Sequence, residues 1–419
     1  MSDFINDYSY RIIGPVMYKY TQWILSEAVK HGFKKLYFLA RDGYLLFEMA
    51  KKICASENIK IDCKYLYCSR QSLRMPSYHL IGDEAYDLLF LGGYYITPKT
   101  LLDRPMISKE LQEDILNEIG VNDKNAPLTE KELWEIRKKL SENNSYKNAV
   151  YTNSHTAYAP AIDYLKSMGL FDDDYIAIVD SGWSGSMQRS LRQLVSSAGY
   201  CGKITGFYFG LYNTPKEDQD GEYLTFYFDS KHGLRKKVYF NNNLFECMLS
   251  ANHPMTIGYT YTDSSASPIF APETAPAMLS LIESQINGAL RYVDCELEKQ
   301  QTTLTNDYTQ LVKECYKILK RAMTRPTKDE ADIYSAFTFC DDVTEGYQIS
   351  LSGKELVSCL KSYVIITRFF KKIFKTKRAD EAQLLWVYGV ISHASKILQP
   401  WYRLNVCLWD FFKALLKKS

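Results

Sequence analysis

The sequence predicts an α/β protein: a parallel sheet flanked by helices, with a helical insertion and a mostly helical C-terminal region. Three observations lead there. Short β-branched or aromatic runs alternate with segments of helical spacing, the pattern of successive βαβ units. These runs are apolar along their length instead of alternating, as strands buried on both faces are. Each run also ends in a polar turn rich in charged residues, glycine or serine, which is where open parallel sheets bind ligands.

Taken in order, Ile12–His31 reads as a helix despite Gly14-Pro15, and Leu36–Leu39 as the first strand. The charged turn Arg41-Asp42-Gly43 follows, and then a helix that carries Leu45, Leu46, Met49, Ala50 and Ile53 on one face. Lys64–Arg70 is the second strand candidate and ends at Ser69 and Arg70. Residues 78–150 read as a helical insertion, with helical spacing over Asp83–Leu91, Leu111–Ile119 and Thr129–Leu140; it is a candidate lid or acceptor-selecting element. Asn153–Met168 reads as a helix that Pro160 should kink or split. Ile176, Ile178 and Val179 form the third strand after the acidic turn Asp172–Asp174, and Lys203–Tyr212 the next. Tyr223–Asp229 and Val238–Phe240 read as short strands, and Met255–Tyr261 with Ser267–Phe270 as a hairpin. Beyond Thr274 the pattern is helical through Met278–Lys299 and Leu304–Arg321. The expected division is a core over 1–272 and a helical domain over 273–419.

The stretch Tyr175–Leu194 is the most informative. Asp180 falls where the strand should end, placed to accept hydrogen bonds from sugar hydroxyls. Gly182 and Gly185 let the backbone approach a ligand, while Ser184 and Ser186 are candidate caps for a helix whose first N–H groups would face an anion. An ordinary βα turn with a serine cap has the same pattern, so this loop alone leaves two readings open. The turns at Arg41–Gly43 and Ser69-Arg70 supply context, because three polar strand ends can converge on one crevice.

Phe38-Leu-Ala-Arg-Asp-Gly-Tyr44, Tyr67-Cys-Ser-Arg70 and Val179-Asp-Ser-Gly-Trp-Ser-Gly-Ser186 resemble the type I phosphoribosyltransferases. More closely, they resemble the transferase modules of bacterial polysaccharide proteins that are often fused to a haloacid-dehalogenase-type phosphatase. The resemblance covers roughly residues 30 to 260. It implies transfer of 5-phosphoribosyl from phosphoribosyl pyrophosphate, with Mg2+ on the donor, to a carbohydrate acceptor; a separate phosphatase would then remove the 5-phosphate. It implies that Asp180 to Ser186, with Ser181, Gly182 and Trp183 among them, form the loop for the ribose and 5-phosphate, with Asp180 on the ribose hydroxyls and Ser184 to Met187 on the 5-phosphate, and that Arg41 and Gly43 hold pyrophosphate. Glu246 and His253, within Phe245–Pro254, match a segment those proteins carry near their site, which implies an acceptor-side role; a lone Glu or His in a turn is equally a structural feature. Two departures stand out. Phosphoribosyltransferases commonly carry two adjacent acids where this chain has Asp180-Ser181, and the loop here is shorter.

The chemistry points the same way. Displacing pyrophosphate from an anomeric carbon needs fixed cations and N–H donors at the leaving-group end, which Arg41 and Arg70 suit, and Mg2+ is a hard cation that prefers phosphate oxygens. Asp42 is a candidate for positioning an acceptor hydroxyl or a metal-bound water, or else one half of an ion pair with Arg41. Tyr44 and Trp183 are candidates for stacking on a sugar or for wall packing. A sugar-phosphate hydrolase using Asp42 or Asp180 as nucleophile, and a silent phosphoribosyl-binding scaffold, are the rival readings. The chain lacks the Asp-x-Asp-x-Thr motif of the phosphatases.

Composition excludes several classes. With 51 basic and 49 acidic residues among 419, no strong nucleic-acid field exists. Ten cysteines without a Cys-x-x-Cys pair and six scattered histidines indicate neither a zinc site nor a disulfide framework, so reduced cytoplasmic thiols are expected. No run of about 18 apolar residues and no signal-peptide pattern appear. Val364–Arg378 and Trp401–Lys418 mix apolar and basic residues as helices lying on an anionic membrane do, although a packed helical domain with a basic rim would look similar.

Overall fold

The computed structural model describes residues 1–213, 221–272, 275–299, 304, 307–340, 342–344, 346–368 and 384–416. At its centre lies a five-stranded, all-parallel sheet in the order β2-β1-β3-β4-β5. The strands are β1 (Lys35–Leu39), β2 (Asp62–Leu66), β3 (Tyr175–Trp183), β4 (Lys203–Leu211) and β5 (Glu222–Phe228). A hairpin, β6 (Thr256–Thr262) with β7 (Ser265–Phe270), and a two-residue pair, β8 (Thr338–Phe339) with β9 (Ile349–Ser350), stand outside it.

Continuous apolar strands are buried on both faces, as their composition requires. Leu36, Phe38, Ala177, Val179, Phe207 and Phe209 point to one side, where α1 (Ser2–Tyr8), α2 (Gly14–Lys30) and α3 (Gly43–Glu57) pack. Tyr37, Leu39, Ile176, Ile178 and Ile204 point to the other, against α9 (Asn144–Ser167) and α10 (Ser186–Ser197). Between β2 and α9 lie α4 (Arg70–Arg74), α5 (Glu84–Leu89), α6 (Pro98–Asp103), α7 (Lys109–Glu118) and α8 (Glu130–Glu142). This insertion has a core of its own, from Met75 and Tyr78 to Leu140, which the first turns of α9 complete with Tyr146, Ala149 and Val150.

After β5 come α11 (Leu234–Tyr239), α12 (Asn242–Met248), α13 (Pro276–Leu297), α14 (Tyr308–Thr324), α15 (Lys328–Ser335), α16 (Val387–Ser392) and α17 (Gln399–Leu416). Ile282, Ile286, Ala289 and Val293 of α13, with Cys315 and Leu319 of α14, join the same apolar cluster as α1 to α3. Gly288 makes this possible: a Cβ there would meet the Asn6 backbone of α1.

Four local expectations are corrected. Val238–Phe240 is not a strand: Val238 and Tyr239 close α11 and Phe240 caps it. The first helix starts at Ser2, reaching α2 through a π-helical turn at Ser9–Ile13. Asn153–Met168 is the second half of a continuous α9 that begins at Asn144, and Pro160 stays inside it unbroken. The second strand stops at Leu66, and Ser69 instead caps α4, accepting from Ser72 N at 3.1 Å. Of the basic segment Val364–Arg378, residues 369–378 lie outside the described residues. Among the described residues no helix is long and apolar enough to cross a membrane.

Candidate functional site

The C-terminal ends of β1, β2 and β3 open into one cavity of about 380 Å³. Arg41 and Asp42 line it after β1, Cys68, Ser69 and Arg70 after β2, and Asp180 to Ser184 with Ser186 and Met187 on and after β3. Parallel strands bring their carboxyl ends to one edge, so the three turns meet there by topology. Asn242, Asn243 and Glu246 of α12 form a further wall.

The β3 segment differs from its expected form. Residues 180–183 are strand, not loop: Asp180 pairs with Tyr208, Gly182 with Gly210 and Trp183 with Leu211. Gly182 takes φ +119°, and a Cβ there would strike the Gly210 carbonyl, so only glycine lets β3 run this far against β4. The helix cap is also different. Neither Ser184 nor Ser186 caps α10; Gly185, at φ +64°, holds that position without a side-chain bond, which leaves the first N–H groups of α10 without intrahelical partners. Gln188 fixes this helix end to the sheet, donating to the Ile204 carbonyl at 3.0 Å and accepting from Tyr208 OH at 2.8 Å. On the opposite face the Tyr20 hydroxyl lies 2.9 Å from the carbonyls of both Asp180 and Phe207, which ties α2 to the strand end.

Four acids line the cavity, of which Asp342 is ion-paired with Arg104 and the other three face its centre through the strand ends and α12. Asp180 is 9% exposed, and burial, then the neighbouring Asp42, push its pKa up to about 7. Burial likewise raises Asp42, although Ser181 Oγ donates to its carboxylate and Arg41 and Arg70 oppose the shift. Glu246 rises to about 8 through burial and then Asp42, opposed by Arg70 and by the Trp183 indole, whose Nε1 donates to Oε1 at 2.6 Å. Near neutral pH Asp180 and Glu246 are therefore poised between protonation states, with Arg41 and Arg70 as the cationic counterweight.

Not every predicted residue reaches the cavity. Tyr44 turns along α3 and packs edge-on against Tyr65, centroids 5.5 Å apart. His253 bonds the Tyr65 hydroxyl at 2.6 Å and sits among Tyr44, Tyr65 and Tyr67, so both residues belong to an aromatic cluster and neither lines the cavity. Gly43 is a contact for β1: a Cβ there would lie 3.0 Å from the Phe38 carbonyl carbon. Ser69 lines the cavity, but its hydroxyl is engaged, donating to the Thr256 carbonyl at 2.6 Å. Trp183 both lines the cavity and packs among Phe240, Phe245, Phe228 and Tyr212.

The sequence reading missed Tyr94 from the insertion, Asn242 and Asn243 from α12, and Phe339, Cys340, Asp342 and Val343 beside β8. The run Asn241-Asn242-Asn243 was a legible cap signal, since Asn241 Oδ1 accepts from Leu244 N at 2.7 Å. Nothing in the sequence marked residues 339–343. Asp342 is held by a buried ion pair: Arg104 Nη2 lies 2.6 Å and Nε 3.0 Å from Asp342 Oδ2, and Arg104 Nη1 donates to the Leu89 carbonyl at 2.6 Å. With both residues at most 5% exposed, Asp342→Ala should leave a buried, uncompensated guanidinium. Its expected cost is about 3–5 kcal/mol, to be read as a lowered denaturant midpoint; an unchanged midpoint would remove the pair from the account of the wall.

No protein-family model matches the chain, and no curated protein matches it.

Proposed function

We propose that the protein transfers 5-phosphoribosyl from phosphoribosyl pyrophosphate, carried as its Mg2+ complex, to a carbohydrate acceptor in cell-surface glycan assembly. One observation carries the reading: the turns after β1, β2 and β3 share a cavity with the N-terminus of α10, so guanidinium groups, carboxylates and unpaired helix N–H groups face one space. A sugar bearing phosphates at both ends needs this mixture. The helix N-terminus and the Ser184 and Ser186 hydroxyls suit the 5-phosphate, a helix end being a natural anion site. Asp180 accepts from the ribose hydroxyls. Arg41 and Arg70 draw negative charge toward the leaving diphosphate as the C1–O bond breaks. Mg2+ carried by the diphosphate would partly neutralise its charge, and Asp42 and Asp180 are the carboxylates that would face it.

The acid expected beside Asp180 has a counterpart in space. Ser181 donates a hydrogen bond to the Asp42 carboxylate, so the turn after β1 supplies the second acid next to the first. On the acceptor side, Glu246 is held by Trp183 and takes the proton of the attacking hydroxyl as the new C1–O bond forms. Such an enzyme acts in the cytoplasm, where the donor is made, and leaves the 5-phosphate for a separate phosphatase.

Calorimetric titration with the Mg2+ complex of phosphoribosyl pyrophosphate tests this directly, with ribose 5-phosphate as the control. Wild type should bind the donor more tightly than the control, and Arg41→Ala should lose about tenfold or more in affinity for the donor alone, as expected when a charge-assisted diphosphate contact is removed. Absence of donor binding at low salt would overturn the proposal.

A further inference from the structure

We infer that α17 rests on an anionic membrane surface, with Ile397 of the preceding turn and Trp401, Leu404, Leu408 and Phe412 of the helix facing the lipid. These five side chains are 89, 53, 54, 49 and 40% exposed. Their spacing of four, three, four and four residues sets them on one side of a helix about 27 Å long. The rest of the helix surface completes the fold. Val406 and Trp409 are buried, Asn405 Oδ1 accepts from Ile365 N at 3.1 Å, and Phe411 meets Tyr239 of α11 edge-on at 5.8 Å. An outward helix face on a globular protein is ordinarily polar, and here it is apolar over four turns.

Charge selects the occupant. From residue 393 to the end the sequence holds five basic residues, Lys396, Arg403, Lys413, Lys417 and Lys418, against Asp410 alone, a net of +4. The whole chain carries +2, so the remainder is −2 and the excess of positive charge is concentrated in this last segment of the sequence. A two-fold dimer through this face would bring together two segments that each carry +4, which is unfavourable. Anionic headgroups answer both features: they attract the basic residues of the segment while the apolar face enters the acyl boundary, which tryptophan favours. The surface would hold the protein where a lipid-linked acceptor resides, yet the inference stands on α17 alone and does not require the donor reading.

Vesicle co-sedimentation of the full chain, without any donor, provides the test. Wild type should pellet with vesicles of phosphatidylglycerol and phosphatidylcholine in equal parts, and not with phosphatidylcholine alone. Raising the salt should weaken binding by screening the lysines without removing the apolar contribution. The triple variant Trp401→Ser, Leu404→Ser, Leu408→Ser alters only exposed positions, so it should keep the wild-type melting temperature and lose about tenfold or more in vesicle partitioning. Wild type remaining in the supernatant at low salt would overturn the inference, as would a triple variant that pellets equally well. A wild-type dimer that the triple variant converts to monomer, with no vesicle binding by either, would assign the face to a second copy instead.

Discussion

Asp180→Asn is expected to abolish transfer and, at the same time, to make the protein more stable above pH 7. Both effects come from one buried carboxyl. In the unfolded chain the acid ionises near its ordinary pKa of about 4. In the fold, burial and the nearby Asp42 raise Asp180 to about 7, and burial followed by Asp42 raises Glu246 to about 8. From about pH 4 upward the folded protein therefore retains protons that the unfolded chain has released, and stability falls as pH rises. The fall from Asp180 is complete above about pH 7 and that from Glu246 above about pH 8. Asparagine keeps the shape and removes the buried charge, so at pH 8 the variant should gain on the order of 1–3 kcal/mol, while at pH 4, where the native acid is already protonated, the gain should vanish. Chemical denaturation at the two pH values measures this. Turnover should drop by about a thousandfold or more, since a neutral amide neither matches the positive charge that develops on the sugar nor accepts both hydroxyls as a carboxylate does. Retained turnover would dismiss Asp180 from the donor site, and an equal stability change at both pH values would dismiss the buried charge as its cause.

The second large effect concerns Glu246. A general base must be ionised, so transfer should rise with pH through about 8 in the free enzyme, following Glu246. Glu246→Gln should lower kcat by about a hundredfold to ten-thousandfold and erase the part of the limb near 8, leaving the rise near 7 that belongs to Asp180, while donor affinity stays near the wild-type value. Trp183 gives the sign an independent check. Its indole N–H favours the ionised form, so Trp183→Phe should move the limb to higher pH. A Glu246→Gln enzyme that keeps the limb where it was would assign the titration to another group and leave Glu246 as part of the wall.

Much of the site was legible because the chemistry of a parallel sheet is concentrated at its strand ends. Arg41, Asp42, Arg70, Asp180 and Trp183 each follow or end an apolar run, and a short β-branched run is a strong local signal. All five line the cavity. Tyr44 and His253 read equally well in one dimension. Their ring contacts with Tyr65 come from three separate segments, and the sequence carries no trace of that meeting. The extension of β3 through Trp183 was hidden for a similar reason: Asp180, Ser181 and Gly182 have turn composition, and only pairing with β4, against the backbone of Gly210, holds them extended. Val238 and Tyr239 carry β-prone side chains, yet they close a helix that packs against α17, so tertiary contact overrode local preference there.

By itself, then, the sequence determined the α/β class, most of the apolar runs that become strands, the helical insertion and the polar turns that supply the chemistry. These follow from burial and periodicity, which act over a few residues. Only the tertiary structure decided that the insertion and the segment around Asp342 close the cavity through a buried Arg104 pair, that Ser181 serves Asp42, and that Trp183 holds Glu246. Each of those contacts joins residues more than 60 positions apart, and such contacts are set by how layers pack and not by what stands next in the chain.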